Sequence, residues 1–513
     1  MRKKLTVFIL VFLLCNHISV ASAEENSNHT WEDEMIYFIM VDRFNNGDTS
    51  NDYEVDMNDP NAYHGGDFQG IMDKLDYIKE MGFTAIWLTP IVQNEPGGYH
   101  GYWTEDFYNV EEHFGTLEEF KQLVEEAHNR DIKVILDLVV NHTGYQHPWL
   151  NDPQKQDWFH EDEAILDWDN QENVETGRLA GLPDLAQENP EVRNYLLDMA
   201  TWWIEETDID GYRLDTVKHV PKDFWEDFSA EVKSVKEDFF LIGEVWHSDP
   251  TYVADYANAG IDSFVDYPFF NDATRIFSSA DQRIGRYLHG VWERNSSLYE
   301  NPYLLGNFID NHDNKRFTRL AIENEEDPVT RLKLALTYMY TAPGIPIVYY
   351  GTEIAMDGGD DPDNRRMMDF KDHELVSYIS KLGKLRQENP SLTKGDFQLL
   401  VDKVGTSVFL RTYENETTLI AFNNTTEEQK ITLTEDMLPE NSQLHAAFGE
   451  VTIKKGQDGY VLTLEKESTE IYSVSEAKVD SKVSNSWYYV VIGLCVLFII
   501  GYFIYSFKRK RAK

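Results

Sequence analysis

Cysteine is nearly missing from this chain. Its two cysteines, Cys15 and Cys495, lie in apolar runs at opposite ends. The body between them has none, which excludes a disulfide scaffold and a cysteine-ligated zinc site there. Basic residues are also scarce, 46 Lys and Arg against 90 Asp and Glu, and so acidic a surface would repel a nucleic acid. No Ser-His-Asp or Cys-His order occurs, no phosphate-cradling glycine loop and no dinucleotide fingerprint. Internal repeats and low-complexity tracts are absent. What is present is a 42% hydrophobic content over 513 residues, enough for a large core and for two or three domains.

The ends read as targeting segments. Arg2, Lys3 and Lys4 precede an apolar run at 5–14 and the small residues Ala21, Ser22 and Ala23, the pattern of a secretory signal peptide cleaved after residue 23. At 487–507, 21 residues carry no charge, about 31 Å of helix and long enough to span a bilayer. Trp487, Tyr488 and Tyr489 open this run, and Tyr502 and Tyr505 lie near its close. Lys508, Arg509, Lys510, Arg511 and Lys513 follow. The positive-inside rule makes 508–513 a cytoplasmic tail. The expectation is a secreted protein anchored by one C-terminal transmembrane helix, its body extracellular on the outer face of the membrane.

Short apolar β-branched runs recur through the body at 36–41, 85–90, 134–140, 209–214, 239–243, 263–265, 304–309 and 345–350, with amphipathic stretches between many of them. Near-continuous apolar strands separated by helices indicate a parallel sheet covered on its outer face, and eight such units suit an α/β fold, the (β/α)8 TIM barrel. The barrel is expected over 24–390. Within it, 141–190 is a long polar insertion after the third strand, read as a small subdomain. Alternating runs over 391–475 read as a C-terminal antiparallel β-sandwich, and 476–486 as a linker.

Barrel enzymes place catalytic groups at the C-terminal ends of strands. Four such ends carry a carboxylate: Asp137 before Leu-Val-Val-Asn-His, Asp215 after Gly-Tyr-Arg-Leu, Glu244 in Ile-Gly-Glu-Val-Trp, and Asp313 closing Ile-Asp-Asn-His-Asp. One Asp at a strand end is ordinarily a helix cap; four in barrel register suit acetal hydrolysis, one acting as nucleophile and another protonating the leaving oxygen. Arg213 stands two residues before Asp215 and so shares its face of the strand. Its guanidinium would hold Asp215 ionised, while neighbouring carboxylates would keep Glu244 protonated.

These four segments, with Leu182-Pro-Asp-Leu185, resemble the sequence blocks of the α-amylase family, glycoside hydrolase family 13, over about residues 31–475. The resemblance implies that Asp215 is the nucleophile, Glu244 the general acid/base and Asp313 the stabiliser of the transition state. By it His100, Tyr102, His142, Arg213, His219, His312 and Arg365 bind the sugar, and Lys218 and Asp361 contact neighbouring ones. Trp103, Trp168 and Trp246 are candidates to stack on glucose rings or simply to be buried. The pair Trp202-Trp203 is core packing by default; it also resembles a feature of a group of cell-bound bacterial α-amylases.

The resemblance further implies Ca2+. Asn141, Asp184 and the backbone carbonyl of His219 match a site joining the long third loop to the barrel, all oxygen donors as calcium requires, with Asp169 or Glu172 as a fourth ligand. A second loop, Asn46, Asp48, Asn51, Asp52, Gly65 and Asp67, resembles another calcium site; its alternative is an Asx-rich turn. The expected function is retaining endo-hydrolysis of α-1,4-glucosidic bonds in starch-like polysaccharides by a monomer. Alternatives of the same family are a cyclodextrin- or pullulan-directed hydrolase or a glucan transferase; another is a non-catalytic glucan-binding membrane protein. The triplet Val217-Lys218-His219 favours amylase.

Overall fold

The structure, a computed structural model, describes residues 29–476 and isolated helical positions between 497 and 511. The expected signal peptide lies outside the described residues, as do most of the expected membrane helix and the expected linker beyond Glu476, which instead closes the strand Ser468–Glu476. Among the described residues no helix is long and apolar enough to cross a membrane.

Eight short strands form the barrel: β1 (Ile36–Ile39), β2 (Ala85–Leu88), β3 (Lys133–Leu138), β4 (Gly211–Leu214), β5 (Phe240–Gly243), β6 (Ser263–Phe264), β7 (Gly306–Asn307) and β8 (Ile345–Tyr349). All neighbours pair in parallel, with Ile36 of β1 opposite both Ala85 and Ile347. The bridge between Val265 and Gly306 joins β6 to β7 and closes the ring. Nearly every strand residue is buried, because side chains pointing in fill the barrel and those pointing out meet helices. That two-sided burial explains why the strands read as apolar runs without alternation. The seventh run shortens to two paired residues. At Gly306 an added Cβ would lie 2.6 Å from Ile347 Cδ1, so a larger residue there would require the Ile347 side chain to shift.

Two insertions rise from the C-terminal mouth. One is a bulged hairpin, Val92–Asn94 with Thr104–Val110, which the sequence pattern did not reveal. The other is the expected insertion after β3, built from short turns, the helix Gln171–Thr176 and isolated bridges such as His142 with Asp184. It ends at Asn189, whose side chain caps the helix Pro190–Thr207. On that helix Trp203 is fully buried and donates from Nε1 to Phe107 O at 2.9 Å. Trp202 meets Tyr108 edge-on at 5.2 Å. Core packing accounts for the pair.

Beyond the barrel, an antiparallel sheet runs in the order Asp396–Lys403, Thr406–Tyr413, Glu416–Asn423, Ser468–Glu476, Ser442–Ala446, Thr452–Lys454. The ribbon of Gln429–Leu433 and Tyr460–Leu464 adds to it, enclosing a core that includes Leu410, Leu419, Ile431, Leu444 and Leu462.

Candidate active site

Arg213 organises the floor of the barrel mouth. It is fully buried on β4, and its Nη1 donates to Asp137 Oδ1 at 2.9 Å and to Asp215 Oδ1 at 2.7 Å. Its Nη2 lies 2.7 Å from Glu244 Oε1. The guanidinium is therefore shared among three carboxyl groups. The contact with Asp215 follows from their shared strand face, and the other two were not expected: a planar fork with donors on several edges serves every acceptor the closed barrel brings to it.

Asp215 follows β4 directly and also accepts from Thr216 Oγ1 at 3.1 Å. Thr216 has φ +48, a left-handed conformation unusual for a branched residue. Glu244 follows β5 and accepts from the Thr216 backbone N–H at 3.1 Å and from Tyr267 OH at 3.0 Å. Asp313, beyond β7, lies 3.3 Å from Arg365 Nη2 and 3.3 Å from His312 Nε2. Asp137 sits within β3, lower than the others, where Tyr102 OH donates to it at 2.8 Å and Trp87 Nε1 at 3.2 Å.

Burial raises the carboxyl groups of Asp215, Glu244 and Asp313 above their ordinary range; Arg213 offsets part of this for the first two and Arg365 for the third. Asp137 is pushed up to about 7, again by burial. Four carboxyl groups thus face two guanidinium ions, and the site favours keeping protons among them. Burial also lowers the imidazoles of His100 and His312 well below their usual value, and that of His142 to about 4. These rings are neutral at pH 7.

A cavity of about 610 Å³ opens above this floor. His100, Tyr102, His142, Asp215, Lys218, His219, Glu244, His312, Asp313, Asp361 and Arg365 all line it, so every expected sugar-contacting residue but Arg213 reaches one space. Trp103, Trp168 and Trp246 line it too, the last two about half exposed. Tyr102 stacks on His312 with ring centres 5.2 Å apart. The ring atoms His142 Nε2 and His312 Nδ1 are buried without a hydrogen-bond partner, as groups awaiting a ligand hydroxyl would be. The sequence did not single out Trp87, Thr216 or Tyr267. Tyr267 had a usable signal, standing just beyond a strand end.

The calcium ligands can be tested by their unpaired atoms. Among the described residues no three His, Cys, Asp or Glu side chains converge as a metal site, but the expected donors include amide and carbonyl oxygens. Asn141 Oδ1 and Asp184 Oδ1 are fully buried and unpartnered, which fits a hard cation. Asp184 Oδ2 meets His160 Nδ1 at 2.6 Å, a neighbour the sequence did not suggest. Asp169 and Glu172 are exposed, unlike Asn141 and Asp184. In the second loop Asn46 Oδ1 and Asn51 Oδ1 are likewise buried and unpartnered. Gly65, at φ +86, packs so that a Cβ would meet Asn46 Nδ2 at 2.6 Å and Asp52 Oδ1 at 2.7 Å. Asp48 accepts from Ser50 N, and Asp67 accepts from the backbone of Gly47, Asp48 and Gly70, tying the loop together.

Fold and site define a barrel enzyme with a carboxylate cluster under a sugar-sized cleft. The model described as the α-amylase catalytic domain matches residues 38–388, and that of the α-amylase C-terminal domain matches 395–472. The chain belongs to the α-amylase family, the hydrolases of glycoside hydrolase family 13.

Among curated relatives, a β/α-amylase of Paenibacillus polymyxa is 40% identical over 87% of this chain, which spans only 38% of that protein. A cyclomaltodextrinase of Thermoanaerobacter pseudethanolicus is 35% identical over 79% of this chain and 72% of its own. Among solved structures, an α-amylase from Anoxybacillus is 64% identical, with a TM-score of 0.86 over 88% of this chain and 99% of that one. An α-amylase from Geobacillus thermoleovorans, complexed with acarbose, is 59% identical, with a TM-score of 0.85 over 88% of this chain and 100% of that one.

One expectation is overturned. A Bacillus subtilis relative, 34% identical over 81% of this chain and 72% of its own, is named an intracellular maltogenic amylase, and no described helix is long and apolar enough to cross a membrane. Display of the body on the outer face of a membrane is therefore dropped.

Proposed function

We propose that this protein hydrolyses α-1,4-glucosidic bonds with retention of configuration, through a covalent glycosyl intermediate on Asp215. The observation that carries this reading is the single guanidinium of Arg213 held against both Asp215 and Glu244 at the base of the cleft. Two carboxyl groups joined by one fork stand close together, as a retaining pair does at about 5–5.5 Å. Asp215, directly after β4 and held by Arg213 and Thr216 Oγ1, takes the role of nucleophile that the family resemblance implies. Glu244 protonates the leaving oxygen and then activates water. Asp313, beside Arg365, faces the positive charge that develops on the sugar. Neutral His100, His142 and His312 and the ring of Tyr102 hold the reacting sugar, with Lys218 and Asp361 on its neighbours.

The expected outcome is that Asp215→Asn and Glu244→Gln each abolish release of reducing ends from soluble starch. Proton NMR during early turnover should find the first product in the α configuration; a β product would overturn the retaining mechanism.

Starch-like glucans are favoured as substrate by the two α-amylase structures, both above half identity. A second reading, a cyclodextrin- or pullulan-directed hydrolase, is favoured by the cyclomaltodextrinase among the curated relatives. Rates on soluble starch, pullulan and cyclodextrin discriminate: faster turnover of cyclodextrin than of starch selects the second. Calcium is proposed at Asn141, Asp184 and the His219 carbonyl, where it would fasten the inserted loop to the barrel. Chelation should lower the melting temperature and added calcium restore it, and Asp184→Asn should remove that response.

A further inference from the structure

The two oxygens of Glu244 have different surroundings. Oε1 meets Arg213 Nη2 at 2.7 Å and accepts from Tyr267 OH at 3.0 Å. Arg213, Tyr267 and Asn311 line a small void of about 10 Å³ on the interior side of the barrel, which Glu244 also borders. Oε2 instead faces Thr216, a residue of the open cleft, and its contact there is one backbone N–H at 3.1 Å.

Asn311 sets the direction of the Tyr267 hydrogen bond. Its Nδ2 donates to Tyr267 OH at 3.4 Å, and the phenol has a single proton, which is then free for Glu244. Tyr267 is fully buried, does not line the cleft, and is fixed by a stacked Trp246 at 5.2 Å.

We propose that Tyr267 is a positioning residue for the general acid: with Arg213 it saturates Glu244 Oε1 and so assigns the transferable proton to Oε2. This rests on the reading of Glu244 given above. In the first step the Oε2 proton passes to the glycosidic oxygen, which keeps the electron pair of the breaking C1–O bond. Asp215 supplies the pair for the new bond to C1.

The charged and titratable groups facing Glu244 are Arg213 from β4, Asp215 and Lys218 from the turn after it, and Asp313 and His312 from beyond β7. Tyr267 comes from beyond β6 and is a neutral donor to the carboxylate. A donor to the charged form favours it, so removing the hydroxyl raises the acid's pKa. The acid must be protonated to work, so the basic limb of the kcat/KM profile moves to higher pH.

The test is that profile on a chromogenic maltooligosaccharide for the wild type, Tyr267→Phe, and protein carrying 3-fluorotyrosine at 267. Tyr267→Phe should move the basic limb up by about one pH unit and lower kcat about tenfold, with KM little changed. The fluorinated phenol, a stronger donor, should move the limb down. An unmoved limb in both proteins overturns the inference, even if the melting temperature falls. If Glu244→Gln is inert while the limb is unmoved, only this inference fails; if Glu244→Gln still turns over substrate, the reading of Glu244 itself fails.

Discussion

Three carboxyl groups around the buried guanidinium of Arg213 create a site whose charge is balanced only in part. Burial raises the acids and lowers the histidines, so it pushes each of these groups towards its neutral form, and Arg213 opposes it at Asp215 and Glu244. The same effect acts away from the cleft at His147, which is buried, accepts from the Trp149 N–H and is lowered to about 4. Its pKa in the unfolded chain is near 6.5. Between these values the folded state binds fewer protons than the unfolded one, so its stability is whole above about 6.5 and is lost as pH falls towards 4. By linkage the loss reaches about 2.5 kcal/mol at pH 4.5. His147→Asn keeps an acceptor for Trp149 but does not titrate. Urea unfolding at pH 7 and 4.5 should find the wild type losing about that much more stability than the variant; equal losses would refute the assignment.

The element that delivers His100 and Tyr102 is the hairpin after β2, and its turn is under tight steric control. Gly101 has φ +93, and a Cβ there would lie 2.3 Å from Pro90 O. Gly97 in the same turn has φ +86 but nothing within 4 Å. Gly101→Ala should therefore shift the turn and cost about 1–3 kcal/mol. It should also lower kcat/KM by up to about 100-fold, because displacement of sugar-binding groups by an ångström is that costly. Gly97→Ala should cost about 1 kcal/mol or less and leave activity near normal. Thermal melts and steady-state rates of the two variants check the contrast. This hairpin was not legible in the sequence: its strands are short, bulged and half-polar, so no clean alternation marks them. The barrel strands were legible because burial on both faces makes each a continuous apolar run.

At the scale of the whole molecule, barrel and C-terminal sheet are joined through buried arginines. Arg411 donates from Nε and Nη2 to Gly395 O and from Nη1 to Thr341 O, and Arg331 donates to Asn424 Oδ1 at 2.7 Å. Such junctions leave buried carbonyls unpaired when one partner is lost. Arg411→Met should lower unfolding stability by about 2–4 kcal/mol while kcat at 25 °C stays within twofold, since Thr341 precedes β8 and so lies at the end of the barrel away from the cleft. A large loss of kcat with unchanged stability would argue against this account.

The sequence alone determined the succession of barrel strands and the identity of the acids at their ends, because strand burial and side-chain alternation are local properties written in neighbouring residues. Asp215, Glu244 and Asp313 could be named for that reason, and so could Arg213 beside Asp215. Only the tertiary structure decided that Arg213 is shared with Asp137 and Glu244, that Asp137 sits below the cleft, and that Tyr267 and Asn311 reach the general acid. Those relations join residues on different elements, such as Tyr102 with Asp137 and Tyr267 with Glu244. They come into being when the eight strands close into a ring, and the periodicity of no single strand records which side chains that closure brings together.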